Sequence, residues 1–387
     1  MPPHIPQMQN IDLQKLRTLI RLDLNVPIDD GVITSEARIH AALPTIEMAL
    51  EKDAKVALLS HLGRPDPAAL DGSYSLEPVA IKLQELIGRP VHFLTDWVNG
   101  IDYSDDAIIL CENTRYHSGE KTNDDTLSQQ IANLCDVFVM DAFGAAHRQH
   151  ASTYGAAQFA PNACIGPLMT KEIESLNQGL SDPEKPLVAI IGGAKVSSKL
   201  GVIEALCKIC DHIIVGGGIA NTFLMAQGLQ TGNSLIEPEM IDAAKRILNM
   251  DQVNVPMPTD VRVGNVFSNE TEANIKPIGA IAAEDVILDI GPATEKIYTE
   301  IIKTANTIIW NGPVGVFEFA QFSHGTRALA AAIKDNPGHT IVGGGDTVAV
   351  VEQYDMVGSI SYISTGGGAF LEFIKSGTLP ILDLLKN

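Results

Sequence analysis

Long apolar runs are missing from this 387-residue chain. None reaches the ~18 residues that a membrane-crossing helix needs, so no membrane partner is expected. The opening stretch MPPHIPQMQN lacks the basic and apolar regions of a secretory signal, and the expected location is the cytoplasm. Positive charge is also scarce: Lys and Arg total 27 against 47 Asp and Glu, a net charge of −20. Such a chain repels nucleic acid and anionic membranes, which excludes both as partners. Any cluster of arginines in it needs a local reason. Only five cysteines occur, Cys111, Cys135, Cys164, Cys207 and Cys210. An odd number in a chain without an export signal argues for free thiols. Cys207 and Cys210 form a C-x-x-C, but at the far end of the helix expected to start near Lys195. Redox pairs sit at a helix N-terminus, and zinc would need a second ligand pair. A buried, inert pair is expected. The P-loop pattern G-x-x-x-x-G-K-[ST] is absent, and so is a complete G-x-G-x-x-G.

What is present fits two domains, because the chain is too long for one ordinary core. In the first half, apolar strands alternate with helices. TLIRLDLNVP (18–27) reads as a strand on which Arg21, Asp23 and Asn25 alternate to one face. A helix capped by Thr34 or Ser35 carries Arg38 in its first turn and runs to about Glu51. KVALLSHLGRP places His61, Leu62, Gly63 and Arg64 at the end of a second strand. A helix from about Leu76 to Leu86 and the short strand VHFL follow. AIILCENTRYH sets Asn113 and Arg115 past another strand, and DVFVMDAFGAAHR repeats this with Asp141, His147 and Arg148. The alternation predicts a parallel sheet covered by helices on both faces, with ligands bound beyond the carboxyl ends of the strands. Arg21, Arg38, Arg64, Arg115 and Arg148 fall at or near such ends, with His61. In an acidic chain this set suggests a site for a small, strongly anionic ligand. Salt bridges to the many acids are the alternative.

Residues 167–186, bracketed by prolines, predict a helix capped by Thr170 and ended by the polar stretch SDPEKP. We read it as the joint between domains. Beyond it, LVAIIGGAKVSSKLGVIEAL (187–206) reads as strand, glycine turn, helix. Lys195 and Lys199 stand four apart near the helix start, where the dipole disfavours a cation by roughly 0.3–1 kcal/mol. A bound phosphate would reverse that sign; solvated lysines are the plain reading. HIIVGGGIANTF, NTIIWNGPVGVFEF, HTIVGGGDTVAV and ISYISTGGGAFLEFI repeat the same order. Three glycines in a helix interior would cost about 3 kcal/mol, so the triplets are expected in turns that approach a ligand closely. Together these turns predict a nucleotide-sized polyphosphate site. Asp346 would hold Mg²⁺ beside phosphates or merely complement a helix dipole. Glu318 would accept ribose hydroxyls or stand solvated. Residues 251–285 read as a small β excursion without chemistry.

RLDLNVP, SHLGRP, ENTRYH, DAFGAAHR, GGAKVSSK, VGGGIANTF, WNGPVGVFE, GGGDT and STGGGAFLE occur in one order from Arg21 onward, and this set resembles the phosphoglycerate kinase family. The resemblance implies two doubly wound α/β domains facing each other across a cleft. They would be a glycerate-binding domain over 1–168, an inter-domain helix and linker over 169–185, and a nucleotide-binding domain over 186–375. The residues from about 376 to 387 would pack back on the first domain. It implies reversible, Mg²⁺-dependent phosphoryl transfer between 1,3-bisphosphoglycerate and ADP, giving 3-phosphoglycerate and ATP, in a monomer. Carried over residue by residue, the glycerate falls to Asp23, Asn25, Arg38, His61, Leu62, Gly63, Arg64, Arg115 and Arg148, with Arg21 in the same patch. The nucleotide falls to Lys199, Glu318, Gly344, Gly345, Asp346 and Thr347, with Asp346 the carboxylate for Mg²⁺. Arg38, Lys195 and the amides around Gly367 and Gly368 would flank the transferred group. Thr114 and Ser198 depart from the usual pattern without removing a matched site residue. A nicotinamide-dependent dehydrogenase and a non-catalytic two-lobed anion binder are the alternative readings.

Overall fold

A computed structural model describes residues 5–103, 107–181 and 183–386. The first residues of MPPHIPQMQN, Asp182 of SDPEKP and Asn387 at the C-terminus therefore lie outside the described residues. The chain divides into two compact units, Met1–Glu174 with Thr378–Asn387, and Ser175–Gly377.

In the first unit the strands are β1 Arg17–Leu22, β2 Ile28–Asp29, β3 Val32–Ile33, β4 Lys55–Leu59, β5 Val91–Leu94, β6 Ile108–Cys111, β7 Val137–Asp141 and β8 Ala163–Ile165. Six of them form one sheet in the order β5-β6-β4-β1-β7-β8, all parallel. The central strands are buried nearly throughout. This is why they read as continuous apolar runs rather than as an alternation. The helices are α1 Ala37–Glu51, α2 Glu77–Ile87, α3 Asp125–Asn133, α4 Ala156–Phe159 and the first part of α5 Pro167–Leu180. Ile39 and Ile46 of α1 and Val79 and Leu83 of α2 pack with Leu22, Leu58, Leu110 and Val139 of the sheet. β2 and β3 form a hairpin turned by Asp30 and Gly31, at φ 46° and 77°, the paired left-handed conformation that Asp-Gly favours.

Three local expectations change. β1 stops at Leu22, so Asp23 and Asn25 stand in the following loop and not on a strand face. Thr34 does not cap α1: its N–H and hydroxyl both go to the Pro27 carbonyl, closing the hairpin. Glu36 takes the cap position without a side-chain capping bond. α5 begins at Pro167, a favoured first helical position. Thr170 therefore lies within its first turn and donates to the Gly166 carbonyl at 3.0 Å.

The second unit holds β9 Leu187–Ile191, β10 His212–Val215, β11 Asp260–Gly264, β12 Asn274–Pro277, β13 Val286–Ile290, β14 Thr307–Asn311, β15 His339–Val342 and β16 Tyr362–Ile363. A parallel sheet runs β10-β9-β14-β15-β16, and β12-β11-β13 form a separate sheet that is antiparallel. Its helices are α6 Leu200–Leu206, α7 Gly217–Ala226, α8 Ile241–Leu248, α9 Pro292–Thr304, α10 His324–Lys334, α11 Gly345–Gln353 and α12 Gly367–Ser376. The last helix, α13 Pro380–Leu385, belongs to the first unit and packs on α4.

Here too the sequence reading needs correction. α6 starts at Leu200, so Lys195 precedes the helix and Lys199 is its cap residue. Glu237 accounts for the delay: its carboxylate accepts from the Ser197 N–H at 2.9 Å and hydroxyl at 2.6 Å, holding 195–199 in turns. The glycine triplets are not confined to turns. Gly217 and Gly218, Gly345, and Gly367 and Gly368 open helices α7, α11 and α12. After β14 the chain makes a 3-10 turn, Ala320–Phe322, and reaches a helix only at His324. Among the described residues no helix is long and apolar enough to cross a membrane.

Candidate functional site

Two polar sites lie at carboxyl ends of parallel strands, one in each unit. In the first unit, Arg21 is the last residue but one of β1 and is buried. Its Nε donates to Ser152 Oγ at 3.0 Å, its Nη1 to the Leu22 carbonyl, and its Nη2 lies 3.1 Å from His61 Nδ1. Arg38 Nη1 reaches Asp23 Oδ1 at 3.1 Å and the Asn25 carbonyl at 2.9 Å. Asn25 Oδ1 accepts from the Gly63 N–H at 2.8 Å. Asn113 holds the same loop from the other side, bonding both the N–H and the carbonyl of Leu62. Arg115 Nη1 donates to the Gly63 carbonyl. The loop that carries His61–Arg64 is thus fixed by two asparagines and an arginine.

Charge in this site is arranged for an anion. Burial lowers the pKa of Arg115 to about 10, and neighbouring Arg148, Arg21 and Arg64 act in the same direction. Burial also lowers Arg21 and Arg148. His61 is pushed well below the usual histidine value by burial and then by Arg21, Arg115, Arg148 and Arg38, so its ring is neutral near pH 7. Among the described residues Arg115 Nε is buried with no hydrogen-bond partner. Sequence reasoning missed Glu120 and Ser152, which anchor Arg21 from far along the chain. It saw Asp141 at the strand end, but that carboxylate accepts from Thr45 and from the Met169 N–H at 2.8 Å, so it caps α5.

In the second unit a cavity of about 460 Å³ is lined by Gly192–Lys195, Ser198, Lys199, Asn311, Gly312, Gly344–Thr347, Gly367 and Leu371. Backbones meet closely at its floor. A Cβ at Gly192 would stand 1.8 Å from the Pro313 carbonyl oxygen, so only glycine fits. The first turns of α11 and α12 open on the cavity through Gly345 and Gly367, the end of a helix that carries N–H groups and a positive dipole. Lys199 donates to Asn311 Oδ1, and burial lowers its pKa while Asp346 opposes the shift. Asn311 Nδ2 donates to the Gly343 carbonyl at 2.6 Å. Sequence reasoning did not single out this asparagine, although a polar residue ending a buried strand was a signal. The Thr347 hydroxyl accepts from the Gly312 N–H at 2.7 Å and donates to the Gly343 carbonyl at 3.1 Å. Glu318 and Gly368 are exposed and do not line the cavity. Among the described residues no group of three or more His, Cys, Asp or Glu could hold a metal ion. Asp346 alone on the cavity fits a magnesium ion that arrives on phosphates, since that ion takes one or two carboxylates plus phosphate oxygens. Cys207 and Cys210 are buried thiols, and burial raises both pKa values, that of Cys207 to about 11.

The family model for phosphoglycerate kinase matches residues 8–377. The chain is 54% identical over 384 residues to a phosphoglycerate kinase from Legionella pneumophila (strain Corby), covering 98% of this chain and 97% of the relative. It is 50% identical over 383 residues to one from Francisella tularensis subsp. tularensis, covering 98% of each. The solved phosphoglycerate kinase from Coxiella burnetii superposes with a TM-score of 0.92 at 46% identity, over 99% of this chain and 98% of that one. The enzyme from Pyrococcus horikoshii OT3 superposes at 0.81 and 30% identity, over 98% of each. With a family model spanning both units and relatives matched over almost their full length, this chain belongs to the phosphoglycerate kinase family.

Proposed function

We propose that the first unit binds 3-phosphoglycerate or 1,3-bisphosphoglycerate, that the second binds Mg-ADP or Mg-ATP, and that transfer occurs when the two sites are brought together. The reaction itself follows from family membership: reversible transfer of the acyl phosphate of 1,3-bisphosphoglycerate to ADP, giving ATP and 3-phosphoglycerate. The chain is a phosphotransferase with a carboxyl group as acceptor, acting in glycolysis. The dehydrogenase and the non-catalytic binder are not favoured.

The observation that carries the division of labour is the contrast between the sites. One is an arginine cluster around a neutral histidine. The other is a cavity lined by two lysines and open backbone amides. In the first, Arg64, Arg115, Arg148 and His61 would hold phosphate and carboxylate, with Arg21 buried behind His61 in the same patch and Asp23, Asn25, Leu62 and Gly63 setting the loop geometry. In the second, Lys199, Gly344, Gly345 and Thr347 would hold the nucleotide phosphates and Glu318 the ribose. Asp346 would hold the magnesium that shields the phosphate charge. Phosphoryl transfer asks for positioning and for stabilisation of charge on the equatorial oxygens. Arg38, Lys195 and the N–H groups of Gly367 and Gly368 would supply that charge. The acceptor oxygen is already anionic, so no general base is needed. With donor and acceptor on different units, closing them together excludes the water that would otherwise hydrolyse the acyl phosphate. We place the functional boundaries at 1–168, 169–185 and 186–375, and read the enzyme as a cytoplasmic monomer.

A coupled assay for ATP formation from ADP and 1,3-bisphosphoglycerate tests the reading, run beside the Arg64→Ala variant. The variant should raise KM for the phosphoglycerate and leave that for the nucleotide. A rise in the nucleotide KM alone would reverse the assignment of units.

A further inference from the structure

We propose that a buried chain of hydrogen bonds, from Glu120 through Ser152 and Arg21 to His61, fixes the His61 ring as the Nε2–H tautomer. Glu120 and Ser152 then act as positioning residues for the donor that His61 presents to bound phosphoglycerate. The proposal rests on the reading of the first unit as the phosphoglycerate site.

The direction of each bond follows from what each group can do. A carboxylate only accepts and a guanidinium only donates. Glu120 is buried; it accepts from the Ser152 hydroxyl at 2.6 Å, from the Ser152 N–H at 2.9 Å and from the Thr114 hydroxyl at 3.2 Å. Arg21 Nε donates to Ser152 Oγ at 3.0 Å. That oxygen has one proton, so it must accept from Arg21 and pass its own proton toward Glu120. At the other end of the guanidinium, Nη2 lies 3.1 Å from His61 Nδ1. Nη2 cannot accept, so Nδ1 must, and a ring nitrogen that accepts carries no proton. The ring proton of the neutral imidazole is therefore on Nε2. The Leu22 carbonyl takes Nη1, so the guanidinium plane is held at three points. His61 is thereby set to donate through Nε2–H to a carboxylate, phosphate or hydroxyl oxygen, and not to accept from one. Residues 61 and 120 are separated by 59 positions and no local pattern links them, which is why the arrangement appears only in three dimensions.

The test is a ¹⁵N-detected two-bond correlation spectrum of the full-length, ligand-free protein, with His61 assigned by its loss in His61→Gln. Near pH 7 wild-type His61 should show an unprotonated, hydrogen-bonded Nδ1 and a protonated Nε2. A protonated Nδ1 would overturn the proposal without any further variant. In Ser152→Ala the tautomers should mix, and KM for 3-phosphoglycerate should rise about tenfold or more, the loss of one hydrogen bond to a charged group, while KM for the nucleotide stays put. An unchanged His61 spectrum in a folded Ser152→Ala protein would also overturn it. Addition of 3-phosphoglycerate separates the two ideas. If His61 shows the expected tautomer but its resonances ignore the ligand, the substrate reading fails and the relay stands.

Discussion

Gly63→Ala is expected to damage phosphoglycerate binding and spare the nucleotide site. Gly63 sits at φ +60°, and a Cβ there would meet the Tyr74 ring at 2.0 Å. A left-handed conformation costs an ordinary residue about 1–2 kcal/mol. The Tyr74 ring is partly exposed and can turn aside, but the Tyr74 carbonyl accepts from Asn113 Nδ2 at 2.9 Å, so its backbone stays. Crowding there adds about 1–3 kcal/mol. The loop relieves this by shifting, and both backbone groups of Gly63 are in use: its N–H goes to Asn25 and its carbonyl to Arg115. Losing the bond to the arginine is worth about 1.5–3 kcal/mol, or roughly 10- to 100-fold in affinity. Steady-state kinetics should show KM for 3-phosphoglycerate raised by that factor with the nucleotide KM unchanged. Calorimetry should show the first unit melting several degrees lower. Equal rises in both KM values, or no change in either, would refute the reasoning.

Other perturbations probe other links. Lys195→Ala should depress kcat by about 10²-fold or more and change nucleotide affinity little, because the cavity keeps Lys199 and its amides; equal losses in kcat and affinity would contradict a transition-state role. Asp141→Asn should alter the dependence of stability on pH. Burial raises the folded pKa of Asp141 from 3.8 to about 6. Between those values the folded state binds more protons than the unfolded, so stability falls as pH rises through that window, by about 3 kcal/mol. Asparagine keeps an acceptor for the Met169 N–H, so the loss between about pH 4 and 6 should vanish in denaturant titrations; an unchanged slope would assign it elsewhere.

The architecture was legible because parallel strands are buried on both faces, so LVAII, KVALL and VFVMD carry no competing signal. The arginines and glycines that follow strands were legible for the same reason, since chain order alone puts them at carboxyl ends. Local geometry was not. The turn at 195–199 is held by Glu237, 40 positions away from Ser197, and the start of α1 follows from Thr34 bonding the Pro27 carbonyl and not the helix. Anchors that act across the fold, such as Glu120 on Ser152 and Lys199 on Asn311, leave no periodicity to read. Asp141 stood at the right strand end for a ligand, but a helix N-terminus reached it first.

The central claim is that the acid substrate and the nucleotide belong to different units. Mapping backbone amide shifts while 3-phosphoglycerate alone is added tests it most directly. Perturbations confined to His61–Arg64, Asn113–Arg115 and the neighbourhood of Arg148 are predicted, with Gly344–Thr347 silent until Mg-ADP is supplied. A response to 3-phosphoglycerate centred on Gly344–Thr347, with the arginine loops unmoved, would contradict it.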